Sequence, residues 1–363
     1  MKKIILPLLL LIFSIHLLIR IAPYSNGYLV KFDPKYWEMR YNTSQWVVPN
    51  SKNSIGDDGL YAYAGYKFVF EGMNPILNSA EVPPLGKYLI GVTIFIFHNQ
   101  NIFGLITGLL ALGLFYLLNL QIFKNKTIAF LPVFLFSFDM VFWEQLQANY
   151  LDLLYLSFLL LAFYFTIKQK YLFASIAVGC FAATKFPPTS IFVAICMLAY
   201  TFSQNRKDIK KLLLSLIAWP VVFVLTFFRF FMLGNGLIAF LKVLKYFLNY
   251  YTTGAKSQNH LMVFEMITIG RWPTWWDGVK QISEWSLLWP ISFLGSLSSV
   301  FFIRKMKKSP ISILVFWVLA YFAFLLVVPV APRYLLLFIP FLYNIAIWVL
   351  SDAIDLKLLR RFR

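Results

Sequence analysis

Apolar residues run along this chain in long uninterrupted stretches, and clusters of charged residues separate them. A helix needs about 20 apolar residues to cross a hydrocarbon layer of roughly 30 Å, and it satisfies its own backbone there. The pattern therefore predicts an all-α polytopic membrane protein with about ten transmembrane helices, at approximately 4–22, 101–122, 127–143, 151–167, 171–184, 187–202, 212–232, 286–303, 310–329 and 334–350.

The composition leaves no room for a soluble domain. The 363 residues are 60% hydrophobic and 13% charged, with a mean hydropathy of +0.71. We therefore expect a single transmembrane domain over 1–363 and no soluble C-terminal domain. The first apolar run lacks a small-residue cleavage site, which favours an uncleaved span over a signal peptide.

Lysine and arginine gather in the short loops on one side of the predicted spans, as cytoplasmic loops do. The acidic residues lie on the other side or in the outer halves of spans, except for Asp208, Asp352 and Asp355. Both termini are thus expected in the cytoplasm. The net charge of +18 is spread over every inner loop, so orientation and anionic lipid explain it better than nucleic acid.

Two long loops are predicted on the external side, at about 23–100 and 233–285, and both contain aromatic amphipathic stretches. One example, "LIAFLKVLKYFLNYY", is typical of a helix that lies at the membrane interface. The first loop holds Asp57, Asp58, Glu71, Glu81 and Lys87. Adjacent carboxylates repel, so one of Asp57 and Asp58 can accept a proton as a general base. A solvated loop is the alternative explanation for any one of these charges.

Two motifs in the first loop resemble a known family. Asp57 and Asp58 precede Tyr61, and the segment "PPLGK" follows Val82. The GT-C membrane glycosyltransferases, related to protein O-mannosyltransferases and lipid A aminoarabinose transferases, are similar in both places. In that family the acidic pair is Asp-Glu rather than Asp-Asp. Its second motif begins with a histidine where this chain has Val82.

The resemblance continues to about residue 200. Asp139 and Asp152 match family aspartates at the outer ends of two spans, and Lys185 in "ATKFPP" matches a family lysine. Gln147 stands where the mannosyltransferases usually have an arginine, which leaves the donor and acceptor class open. Further along, "GRWPTWWDG" and "APRYLLLFIPFL" also look familiar.

The resemblance implies a GT-C fold and inverting transfer of a sugar from a polyprenyl phosphate, as a mannosyltransferase-like enzyme. It implies these roles: Asp57 as general base, with Asp58 and Asp152 also catalytic; Lys87, Lys185 and Arg271 as contacts of the donor phosphate; Tyr61 and Glu81 as substrate-binding residues.

Other roles stay open for some of these residues. We expect Pro83 and Pro84 to stiffen the chain and Gly86 to allow a tight bend that brings Lys87 to the lip of an interfacial helix. Alternatively, Lys87 snorkels from a helix end. Asp152 is equally well explained as a helix N-cap.

No His, Cys and carboxylate cluster has metal-ligand spacing, although acidic pairs facing a phosphate could recruit a divalent ion. The resemblance implies no cofactor and no metal, because the mannosyltransferases are generally metal-independent. The expected partners are a polyprenyl-phosphate sugar, membrane lipid and a protein, lipid or glycan acceptor, with the site on the external face of a prokaryotic plasma membrane. A flippase for lipid-linked sugars and a non-catalytic assembly partner are the competing classes. Neither the sugar nor the acceptor follows from the sequence.

Overall fold

The computed structural model describes residues 2–253, 261–274 and 278–361, and the chain is 73% helical. The helices before the small sheet are α1 (Lys2–Ile21), α2 (Ser25–Leu29), α3 (Pro34–Asn42), α4 (Asp57–Phe70), α5 (Leu85–Phe97), α6 (Ile102–Ile122), α7 (Lys126–Phe136), α8 (Met140–Leu146), α9 (Asp152–Ile167), α10 (Tyr171–Thr184), α11 (Thr189–Gln204), α12 (Ile209–Ser215), α13 (Ala218–Leu225), α14 (Phe228–Met232), α15 (Leu237–Thr253) and α16 (Met262–Ile269).

Strands β1 (Arg271–Pro273) and β2 (Val279–Gln281) then pair antiparallel. The chain continues as α17 (Leu288–Leu297), α18 (Ile303–Met306), α19 (Ser312–Leu325) and α20 (Ile339–Arg361), with 3₁₀ helices at Ala22–Tyr24, Arg206–Asp208, Ser298–Phe302 and Pro332–Leu337. The predicted all-α class is confirmed.

The predicted spans correspond closely to helices in the first part of the chain. Within the described residues, Ile4–Leu29, Ile102–Ile122 and Pro332–Ala353 are each long and apolar enough to cross a membrane. Helices α9, α10, α11 and α19 are equally apolar but have only 14 to 16 residues. The protein is an integral membrane protein, whereas the count of ten spans and the sidedness of the termini stay predictions.

The predicted spans 127–143 and 212–232 are broken by turns rather than continuous. Between α7 and α8 the chain bends by 72°, because Asp139 caps α8 by accepting a hydrogen bond from the amide of Val141 at 3.1 Å. The predicted span 212–232 is divided into α12, α13 and α14. Pro220, near the start of α13, cannot donate the backbone hydrogen bond that would continue α12.

Aromatic side chains fill the centre of the helix bundle. Tyr155 of α9 stacks on Phe181 of α10 with ring centroids 3.8 Å apart, and Trp317 of α19 lies edge-on to Phe163 at 5.9 Å. Lipid tails are as apolar as these residues, so close packing rather than the hydrophobic effect must hold such helices together. The tight centre fixes α9 and α19, which line the site described below, and α10, whose end precedes the lining residue Lys185.

Helices α4 and α5 pack against each other closely enough to need glycine. A Cβ atom on Gly65 would lie only 2.5 Å from the carbonyl oxygen of Lys87. This contact holds the middle of α4 against the first turn of α5. The tight bend expected at Gly86 is wrong, because Gly86 is helical within α5, and its small size makes room for Leu151.

Candidate active site

A cavity of about 460 Å³ lies where α4, α9, the α10–α11 connection and the chain before α20 meet. Its wall combines charged groups with many aromatic rings. The lining residues are Trp46, Asp57, Tyr61, Glu81, Val82, Asp152, Tyr155, Lys185, Phe186, Thr189, Tyr250, Tyr321, Phe324, Val328, Pro329, Arg333, Tyr334 and Leu337. Five of the eight predicted site residues are therefore brought together here.

Asp57 is the first residue of α4 and forms an ion pair with Arg333. The Nη2 atom of Arg333 lies 2.6 Å from Oδ2 of Asp57, although the two residues are 276 positions apart in the chain. The side chains keep 32% and 26% of their surface exposed. The carboxylate is thus held in place by a cation and still open to the cavity.

Asp152 and Lys185 form a second ion pair in the same cavity, and this one is buried. Lys185 Nζ lies 2.5 Å from Asp152 Oδ1, with 10% and 5% of the two side chains exposed. Asp152 is the first residue of α9, but Leu151 occupies the cap position and no side chain caps the helix, so the N-cap alternative is wrong. Burial lowers the pKa of Lys185, and the neighbouring Asp152 opposes that shift.

The two ion pairs are close enough to influence each other. Arg333 is stabilised electrostatically by both Asp57 and Asp152, and Lys185 by the same two carboxylates. Lys185 and Arg333 both flank the ring of Tyr334, at 5.0 and 5.9 Å from its centroid. The result is a neutral group of two acids and two cations in a largely apolar cavity.

Glu81 and Tyr61 also line this cavity, as expected of substrate-binding residues. Glu81 is 5% exposed, and Tyr61 is 3% exposed. The hydroxyl of Ser79 donates a 2.6 Å hydrogen bond to Oε1 of Glu81. Burial raises the pKa of Glu81, while the nearby charge of Lys87 works against that increase. Their substrate-binding role stays a prediction.

Three predicted site residues do not line the cavity. Asp58 turns its carboxylate back over Gly56. Lys87 is fully buried and is neither at a lip nor snorkelling. Arg271 begins β1, is 52% exposed and lies 3.8 Å from Glu265. Of the predicted acidic pair and phosphate contacts, only Asp57 and Lys185 therefore line the cavity, and the roles of all these residues stay predictions.

Arg333 is the important residue that sequence reasoning did not include. It lies in the segment "APRY", just before the last predicted span and on the side where the short loops have few cations. The sequence signal that could have identified Arg333 as a site residue is that it is an isolated cation at that position. Its partner Asp57 is so distant in sequence that no local pattern connects the two.

Arg333 also borders a second cavity of about 380 Å³, which is more polar than the first. This cavity is lined by Glu144, Trp272, Lys280, Gln281, Ile282, Ser283, Glu284, Ala331, Pro332 and Arg333. Within the described part of the chain, the buried Nε–H of Arg333 has no hydrogen-bond acceptor. Arg333 therefore separates two cavities and keeps a donor available.

Comparison with solved structures identifies the architecture. The crystal structure of ArnT from Cupriavidus metallidurans bound to undecaprenyl phosphate matches with a TM-score of 0.63 and 15% identity, over 92% of this chain. The apo form of the same enzyme matches with a TM-score of 0.61, 15% identity and the same coverage. ArnT is a lipid A aminoarabinose transferase of the GT-C class. This chain has a GT-C fold.

The GT-C match has limits that bear on function. The chain spans 60% and 59% of the length of the two ArnT structures. No family model matches the chain, and no curated protein matches it. Among the described residues, no group of three or more His, Cys, Asp or Glu side chains is arranged to hold a metal ion. The expectation of a metal-independent site stays a prediction.

Proposed function

We propose that this protein is an inverting glycosyltransferase that moves a sugar from a polyprenyl-phosphate donor to a hydroxyl or amine acceptor on the external face of the membrane. The observation that carries the proposal is the cavity in which Asp57, Arg333, Asp152 and Lys185 meet inside a GT-C fold. One ArnT structure was obtained with undecaprenyl phosphate bound, which supports a lipid phosphate as the donor class here.

On the donor side, the two cations suit a departing phosphate. Lys185 and Arg333 each contact a carboxylate. A phosphate that enters between them exchanges those contacts for charge-assisted hydrogen bonds of its own. The charge that develops on the leaving phosphate during reaction is then stabilised by groups already in position. Aromatic residues such as Phe186 and Phe324 provide apolar surface in the same wall.

On the acceptor side, Asp57 is the proposed general base. It takes the proton from the acceptor as the acceptor oxygen or nitrogen bonds to the anomeric carbon. The bond from that carbon to the phosphate oxygen breaks on the opposite face, and the electron pair leaves with the phosphate, so configuration inverts. General-base assistance contributes about 10²- to 10⁴-fold. The polar second cavity reaches Arg333, the partner of Asp57, and gives the acceptor a route.

The test is transfer in vitro by the purified protein. The lipid-linked sugar that copurifies is identified by mass spectrometry, resynthesised and offered to wild type and to Asp57→Asn. We expect transfer by wild type alone. Lipid movement across vesicles without transfer by either protein would instead support a flippase, and transfer that survives in Asp57→Asn would reject the assigned base.

A further inference from the structure

Lys87 is completely buried, and its ammonium group is held by backbone oxygens of the loop before α5. Its Nζ donates to the carbonyl of Ser79 at 2.5 Å and to the carbonyl of Val82 at 2.6 Å. We infer that Lys87 is a positioning residue, which fixes the 79–84 loop so that Glu81 faces the cavity. The inference rests on the function proposed above for that cavity.

The burial of Lys87 makes these contacts hard to replace. A charged group without water must find partners inside the protein or be very costly. Besides the two carbonyls, the ammonium has the ring of Phe68 at 5.5 Å and an electrostatic attraction to Glu81. Removing the charge therefore removes the main attraction that keeps both carbonyls turned toward one point.

The backbone of the loop needs such an external hold. Ser79 has a φ angle of +59°, which lies in the left-handed region that residues other than glycine rarely adopt. Its carbonyl accepts from Lys87, and its hydroxyl donates to Glu81 at 2.6 Å. Ser79 thus transmits the position of the Lys87 ammonium to the Glu81 carboxylate.

The same contacts argue against Lys87 as a phosphate ligand. Lys87 lies outside the cavity wall, whereas Glu81 and Val82 lie in it. A phosphate could reach Nζ only by displacing the loop that forms part of its own binding site. The loop therefore stands between the cation and the cavity.

Lys87→Met tests the inference, because methionine keeps most of the apolar stem and removes the charge. We expect the dissociation constant for undecaprenyl phosphate to stay within about twofold of wild type, while kcat/KM falls about tenfold, as for loss of one hydrogen bond to a charged group. Lys67→Met is the matched control. Lys67 is another buried lysine, but it pairs with Glu38 and Glu71 away from the cavity.

A double-mutant cycle with Glu81→Gln distinguishes positioning from an independent contribution. If Lys87 acts through Glu81, each single variant loses the same factor in kcat/KM, and the double variant loses no more. The inference would be overturned if the loss of kcat/KM in the double variant equalled the product of the two single losses. A tenfold weaker affinity of Lys87→Met for undecaprenyl phosphate would also overturn it. So would a Lys87→Met variant that differs from wild type only in thermal stability, as Lys67→Met should.

Hydrogen exchange measures the loop without any assay of transfer. In Lys87→Met, the amides of residues 79–82 should exchange at least about tenfold faster than in Lys67→Met. Unchanged exchange would reject the loop clamp even if transfer were lost. If wild type transferred no sugar, the proposed function would fail while this comparison still decided the clamp.

Should Lys87→Met not fold, Ser79→Ala is the second variant. It keeps the lysine contacts and should lose as much kcat/KM as Glu81→Gln. Full activity in Ser79→Ala would count against the inference.

Discussion

The two ion pairs of the cavity have nearly the same length and very different surroundings. Asp57–Arg333 measures 2.6 Å with about a third and a quarter of its side chains exposed, and Asp152–Lys185 measures 2.5 Å with at most a tenth exposed. Exposed pairs contribute little to stability, whereas breaking a buried pair leaves an uncompensated charge. From this comparison we expect Asp57–Arg333 to exchange its contact with substrate more readily than Asp152–Lys185, whose charges also support the site.

Their positions in the chain fit this division. Asp152 is the first residue of α9, and Lys185 directly follows the last residue of α10, the neighbouring helix of the bundle. Asp57 and Arg333 come from the start of α4 and from the 3₁₀ helix before α20. Asp152–Lys185 thus joins adjacent helices, while Asp57–Arg333 connects distant parts of the sequence.

The largest expected effect is on Asp57. Asp57→Asn keeps the shape of the side chain and removes the base, so kcat should fall by at least about 100-fold. Donor binding should not weaken, because Arg333 loses a carboxylate that competes with the phosphate. Transfer rate and the dissociation constant for undecaprenyl phosphate measure the two quantities.

Asp58→Asn is the matched comparison for Asp57, because Asp58 is adjacent in sequence but outside the cavity wall. It should lose much less activity. If Asp57→Asn retained more than about a tenth of kcat, the base would have to be reassigned to Asp152 or Asp58.

The next effect is on Arg333, the less buried of the two cations. Arg333→Met should weaken binding of undecaprenyl phosphate about tenfold to a hundredfold, since a hydrogen bond to a charged group contributes roughly 1.5 to 3 kcal/mol. Arg333→Lys should retain part of the affinity, because an ammonium keeps the charge but lacks the planar fork. Isothermal titration in detergent measures both.

Arg304→Met, in α18, provides the control for Arg333 because Arg304 lines neither cavity. Its affinity should equal that of wild type. Equal affinities for all three variants would remove Arg333 from the phosphate site and leave it only as the partner of Asp57.

For the buried pair Asp152–Lys185, we expect substitution to have a smaller effect on activity and a measurable effect on the free energy of unfolding. Asp152→Asn leaves Lys185 charged and unpaired, so the free energy of unfolding should fall by about 3 kcal/mol. Asp57→Asn should lower it by less than about 1 kcal/mol. Denaturant unfolding in one detergent compares the two directly.

The double variant Asp152→Asn/Lys185→Met checks the reason for that loss. With both charges removed, much of the stability should return. A double variant as unstable as Asp152→Asn would show that packing around Asp152, rather than the unpaired charge of Lys185, explains the loss.

The helical class and most helix positions followed from the sequence because apolar runs report burial in lipid directly. The breaks did not, since the bend before α8 depends on Asp139, which accepts from Trp289 at 2.8 Å and from Tyr343 at 3.0 Å far along the chain. Arg333 was not predicted for the same reason, because its partner Asp57 lies 276 positions away in the chain. Lys87 was expected at the lip of an interfacial helix, because the motif "PPLGK" does not reveal that the loop before α5 folds over this lysine.

The smallest expected effect concerns Glu81 and pH. Burial raises its pKa above the ordinary value of 4.5, so the folded state binds a proton more tightly than the unfolded state. The resulting stabilisation is complete below the unfolded pKa and is lost as pH rises through the folded pKa.

The free energy of unfolding should thus decrease as pH rises from the unfolded to the folded pKa of Glu81. In Glu81→Gln this part of the decrease should disappear, which unfolding curves at a series of pH values would measure. Parallel pH profiles for wild type and Glu81→Gln would show that the carboxyl of Glu81 has the same pKa in both states and that Lys87 and Ser79 fully offset its burial.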